Sequence, residues 1–169
     1  MKKDIMPQRK KQFGYRAQAM VEFAIALPVL LAILIGIMEI SRMMLMYALV
    51  VNASRDAVRY ASAVGRGADG LFVYKNCAGI KTAANQSTYK LVTLSSISIS
   101  YKDENGNSAG VCDQGSGEDP DITVDTNYRV TVSVAANYAP MVKFLPIKTK
   151  PFTAVSTRTF LGIYDLPNP

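Results

Sequence analysis

Residues 18–47 read QAMVEFAIALPVLLAILIGIMEISRMMLMY, and the reading of the whole chain turns on them. From Phe23 to Met38, sixteen consecutive residues carry no charge and no strongly polar side chain. Spanning the hydrocarbon of a bilayer takes about 20 helical residues. A span must therefore borrow Ala19 to Val21 before this run or Ile40 to Met46 after it, and either choice sets an acid, Glu22 or Glu39, near one edge of the membrane. Glu39 is followed three residues later by Arg42, which lies on the same helical face, so the two can pair or snorkel to the outer interface. Glu22 has no cation three or four residues after it, and a charge in such a place is costly and usually has a partner. Pro28 brings no N–H and is expected to bend the helix about one turn beyond Glu22.

Upstream of this stretch the charge is concentrated. Six cations (Lys2, Lys3, Arg9, Lys10, Lys11, Arg16) stand against Asp4 before Gln18, which supplies +5 of the net +6. A nucleic-acid-binding domain would spread such charge over a folded face, so no nucleic-acid partner is expected. A short basic run directly before an apolar one is an orientation signal: cations stay on the cytoplasmic side, with the N-terminus in and the C-terminus out. A secretory signal would carry a small-x-small cleavage site just after its apolar core. The nearest candidate, Ala61 to Ala63, lies more than twenty residues beyond that core, so a retained anchor is expected.

Gln18-Ala-Met-Val-Glu22-Phe23 and the apolar run after it resemble the start of the TadE-like minor pilins, or pseudopilins, of the tight-adherence (Tad/Flp) type IV pilus system. The matching parts are Val21 to Leu27, Pro28, Glu39-Ile40-Ser41-Arg42 and the Ala- and Arg-rich segment Asn52 to Ala61. The resemblance is good over residues 14 to 65, looser over the end segment VSVAANYAPMVKFLPIKTKPFTAVSTRTF, and absent in the middle. It implies that a prepilin peptidase cuts between Ala17 and Gln18, making Glu22 the fifth residue of the mature chain. The residue before that cut is Ala where the family commonly has Gly; a cut after Gly14 would make Glu22 the eighth residue. The resemblance further implies that Glu22 and Phe23 serve assembly and register. The implied partners are membrane lipid, other pilin subunits, the inner-membrane assembly platform and the peptidase itself.

Beyond Arg42 apolar residues recur every three to four positions (Met43, Met46 or Tyr47, Val50, Ala57 or Val58, Ala61, Val64), opposite a polar stripe of Asn52, Arg55, Asp56, Arg59 and Ser62. This is an amphipathic helix, with Gly65 as its natural stop and Gly65 to Gly70 as a loop. If Gln18 to Val64 is one helix, its 47 residues reach about 70 Å, more than the bilayer, and its outer half projects. Strict alternation marks Ile122 to Tyr138 as a half-buried strand. Leu91 to Tyr101 and Phe152 to Leu161 read as two more, and Asn76 to Tyr89 as a short helix. Tyr138 to Pro151, with Pro140, Pro146 and Pro151, is expected to form an irregular crossover.

The expected fold class is therefore α+β, a long N-terminal helix packed on a small antiparallel β-sheet. Its expected parts are a basic cytoplasmic leader (1–17), a transmembrane segment (18–42), a projecting amphipathic helix (43–65) and an extracytoplasmic β-rich domain (66–169). Cys77 and Cys112 both fall on the outer side, where a disulfide closing a loop of about 35 residues is a candidate. The stretch from Asp103 to Asp121 carries Asp103, Glu104, Asp113, Glu118, Asp119 and Asp121 among glycines and serines. An EF-hand counted from Asp103 would need Gly and Glu where Ser108 and Gln114 stand, so a solvated loop is the first expectation and Ca²⁺ a weak second. The absence of His removes the usual general base, and two cysteines alone cannot build a structural zinc site. With no phosphate-binding glycine motif either, no catalytic residues, enzymatic activity, cofactor or metal is expected. The competing reading is a single-pass envelope protein whose outer domain binds a partner without entering a filament.

Overall fold

The computed structural model describes residues 13–63, 65–67, 70, 72–112, 127–142 and 149–160, with side chains described from residue 17 onward. The chain divides into two units between Ser41 and Arg42. Helix α1 (Phe13–Ala61, 49 residues) supplies the described part of the first unit and continues into the second. In the first unit nearly every large side chain is exposed, from Met20 through Met38 and Ile40. A helix apolar all round needs lipid or other helices to cover it. This is the one helix among the described residues long and apolar enough to cross a membrane. It stays helical through Pro28, whose missing N–H leaves the carbonyl of Ala24 without its helical donor.

The second unit has a core of its own. From α1 it takes Val50, Ala53, Ala57, Val58 and Ala61, all buried on one helical face, while Asn52, Arg55, Asp56 and Arg59 face water. The helix ends at Ala61, short of the expected Val64. Ser62 N–H donates to Val58 O at 3.0 Å as in the helix proper, and Ala63 N–H donates to Tyr60 O at 3.0 Å in a tighter closing turn, which satisfies carbonyls that a helix end otherwise leaves orphaned. Helix α2 (Cys77–Gln86) begins where the Asn76 side chain accepts the Gly79 N–H, and it buries Cys77, Ile80 and Ala84 at helical spacing.

Among the described residues four antiparallel strands follow in the spatial order β2-β1-β3-β4, one strand more than expected. They are β1 (Leu94–Lys102), β2 (Ser108–Cys112), β3 (Arg129–Tyr138) and β4 (Lys150–Thr159). Residues 122–126, the first part of the long strand expected before Tyr138, lie outside the described residues. Along β3 the even positions Val130, Val132, Val134, Ala136 and Tyr138 are buried, the face that alternation assigns to the core. Ile99 and Tyr101 pair with Val132 and Val130, and Ala154 with Val134, so the three inner faces form one apolar layer. The opposite face is hydroxyl-rich: Ser100 pairs with Thr131 and Thr131 with Thr157, whose Oγ1 atoms stand 2.9 Å apart. Ser54 Oγ of α1, buried among apolar neighbours, lies 2.8 Å from Ser156 Oγ of β4. Pro151 is tolerated because β4 is an edge strand.

The added strand has a local cause. Asn105-Gly106 closes a tight turn in which Gly106 takes φ +88, and Asn-Gly between extended runs is a strong hairpin signal. The chain after it is short and glycine-containing, so it reads as loop until β1 offers it a partner.

Candidate functional site

The candidate site is the start of α1. Ala17 and Gln18 are exposed and lie inside the helix, which begins at Phe13. Four residues on, one turn away, Gln18 Nε2 donates to Glu22 Oε1 at 3.2 Å. Glu22 and Phe23 are both exposed, and they border a shallow apolar surface formed by Ile25, Ala26, Val29 and Ile33. Chemically this is one carboxylate at the head of an uncovered apolar rod. In hydrocarbon or in a bundle of helices such a charge is stable only beside a partner cation or donor. The amide of Gln18 donates one hydrogen bond and leaves the net charge in place.

The two acids of the apolar stretch have different surroundings. Glu22 is exposed, whereas Glu39 is only 2% exposed. Glu39 is thus not extended into solvent, and it has an interaction partner. Among the described residues no buried side-chain nitrogen or oxygen lacks a hydrogen-bond partner, Glu39 included. The helix remains continuous at Pro28.

The other sequence-derived candidates fall in the second unit. Cys77, at the first turn of α2, and Cys112, the last residue of β2, are joined as a disulfide with Cα atoms 5.9 Å apart. Both are buried, and the Tyr101 hydroxyl, which donates to the Tyr74 carbonyl, lies 3.7 Å from Cys112 Sγ. Of the acidic stretch, only Asp103 and Glu104 are described; Asp113, Glu118, Asp119 and Asp121 lie outside the described residues. Asp103 serves the β1–β2 turn, its carboxylate accepting from Asn107 N–H at 2.7 Å and from Asn107 Nδ2 at 3.1 Å. Desolvation acts to raise its pKa, but the side-chain and backbone hydrogen bonds from Asn107, with those from Asn105 and Gly106, outweigh it and hold the carboxyl below its ordinary range. Among the described residues no group of three or more His, Cys, Asp or Glu could hold a metal ion.

Sequence reasoning missed two polar contacts between elements, Ser54 with Ser156 and Ser87 Oγ donating to Asp56 Oδ2 at 2.7 Å. Only the polar identity of Ser54 on an otherwise apolar helix face could have flagged the first.

Residues 17–59 match the family of TadE-like proteins. The matched segment runs from Ala17, beside the candidate cut, through the apolar stretch to Arg59 on the outer part of α1. It supports a protein associated with the Tad pilus and carrying one candidate membrane span. No curated protein and no solved structure gives a match.

Proposed function

We propose that this chain, TadE-like over residues 17–59, is a membrane-anchored minor pilin, or pseudopilin, that takes part in assembling a Tad-type adhesive pilus. The observation that carries the reading is an exposed, wholly apolar helix surface headed by the single carboxylate of Glu22. In this reading a prepilin peptidase cuts between Ala17 and Gln18 on the cytoplasmic side. Because both residues lie within α1, the first turns must open to reach the protease. The cut leaves an ammonium on Gln18, and the Glu22 carboxylate of a neighbouring subunit neutralises it. In low dielectric an unpaired partner is strongly unfavourable, so the pairing sets the register between subunits. Lipid covers the apolar helix in the inner membrane, and helices of other pilin subunits cover it in the fibre. The assembly platform moves it from one to the other, while the β-rich unit stays outside the cytoplasm. The role is structural and needs no catalytic group of its own.

Ala17 in place of the usual glycine favours one second reading: a chain that keeps its leader and stays in the envelope as a binding protein. N-terminal sequencing of the membrane-associated protein separates the two, since a start at Gln18 is expected only for a processed pilin. Ala17→Leu is expected to block processing, because a bulky side chain does not fit a pocket for small residues; a mature start at Gln18 in that variant rejects the site. Glu22→Ala is expected to insert normally yet to lower recovery in sheared fibres by about tenfold or more. Wild-type fibre yield from it would exclude a register role.

A further inference from the structure

One end of the sheet carries an aromatic and apolar surface. Tyr138, the last residue of β3, and Phe152, near the start of β4, meet edge to face with ring centroids 6.1 Å apart, and Tyr47 of α1 meets Phe152 in the same way at 6.2 Å. Tyr138 is buried and Phe152 half-buried, but Tyr47 remains 54% exposed. On the adjoining positions Met44 is 68% exposed and Met141 65%. Lys150, exposed at the start of β4, pairs across the sheet with Tyr138.

Water is a poor solvent for such residues, and exposed apolar side chains grouped around an aromatic cluster are a candidate interaction site. Two observations identify its occupant. Met44 and Tyr47 belong to the same helix as the apolar stretch Phe23–Met38 and follow it closely along the chain. The charge that the sheet places at this end is cationic: Lys150 opens β4 opposite Tyr138. Tyrosines with an apolar body and polar tip settle at the membrane–water boundary, and lysines beside them are drawn to anionic headgroups.

We infer that this end of the sheet, with Tyr47, Tyr138, Met141, Lys150 and Phe152, rests on the headgroup layer of an anionic lipid bilayer. The inference rests on the membrane-anchored reading above and adds a second, sheet-borne contact with lipid to that of the helix. Holding the sheet on the membrane orients the outer unit before assembly, and leaving lipid for a fibre then means breaking this contact as well.

The chain contains no Trp, so a single introduced Trp is a unique reporter. Full-length single-Trp variants are reconstituted in vesicles of phosphatidylcholine and phosphatidylglycerol brominated either near the headgroup end or at the middle of the acyl chains. Phe23→Trp reports on the span, Tyr89→Trp on an exposed turn after α2, and Met141→Trp on the proposed contact. Quenching of Met141→Trp is expected to exceed that of Tyr89→Trp at least about twofold, to be strongest with the shallow bromines, and to fall when phosphatidylglycerol is omitted. Lys150→Trp, on the paired strand, gives an independent reading should Met141→Trp not fold, as judged by its disulfide and circular dichroism. If Phe23→Trp is quenched while both sheet reporters behave like Tyr89→Trp, the anchor stands and the lipid contact is overturned. If Phe23→Trp is itself unquenched, the anchor fails and the contact with it. Sheet reporters shielded only in assembled fibres would assign the patch to a second copy of the chain and overturn the inference.

Discussion

Gly79 of α2 sits against Tyr60 of α1: a Cβ added there would stand 2.7 Å from the Tyr60 hydroxyl and 2.9 Å from Asn76 Cγ. Alanine gains about 1 kcal/mol in helix propensity, whereas overpacking costs about 1–3 kcal/mol. Gly79→Ala is therefore expected to destabilise by up to about 2 kcal/mol and to lower the melting temperature of detergent-solubilised protein; an unchanged temperature would argue against the close approach. At Asp103 the folded-state pKa lies below the ordinary value of 3.8. A depressed carboxyl contributes stability above its unfolded pKa and loses it as pH falls through the folded one. The Asn107 amide resonance should therefore hold its bonded position from neutral pH down past 3.8 and shift only below it. A shift centred above that value contradicts the assignment, and Asp103→Asn should abolish the transition. None of this was legible in the residue types alone. Asp103 read as one of six acids in a loop, and only the turn made by Gly106 turns its carboxylate back onto Asn107.

Among the elements, α1 and β3 were the most readable, because each carries its own period. Val50, Ala57, Val58 and Ala61 repeat at helical spacing, Val130 to Tyr138 alternate, and both sets are the buried ones. β2 was not readable: five residues containing Gly110 form a strand only because β1 is already there to pair with Ser108, Gly110, Val111 and Cys112. The same strand is tied to α2 through Cys77 and Cys112 across a sequence separation of 35, for which loop-closure entropy gives about 3–4 kcal/mol. The Cys77→Ser, Cys112→Ser double variant is expected to lose about that much in urea unfolding, and reductant should lower the wild-type midpoint while leaving the variant unaffected. Equal midpoints in both proteins would mean that the bridge does not stabilise the fold. Ile99, fully buried on β1, should cost about 2–5 kcal/mol when cut to Ala, and a loss under 1 kcal/mol would reject its place in the core.

Taken whole, the molecule joins an uncovered apolar helix to a unit with a closed core. Alkaline carbonate strips peripheral proteins from membranes, so the full chain is expected to stay in the pellet; release into the supernatant would contradict a span between Met20 and Met38. That span, the cations behind it and the carboxylate at its head could be read from order along the chain, because insertion and orientation depend on composition over about 20 consecutive residues. Packing decides the rest, and packing joins residues far apart in sequence. The meeting of Ser54 with Ser156, the approach of Cys77 to Cys112 and the aromatic cluster of Tyr47, Tyr138 and Phe152 each need partners that no local pattern names. Local periodicity determined which face of each element would be apolar; which faces met was settled only when the sheet closed over the helix and excluded water between them.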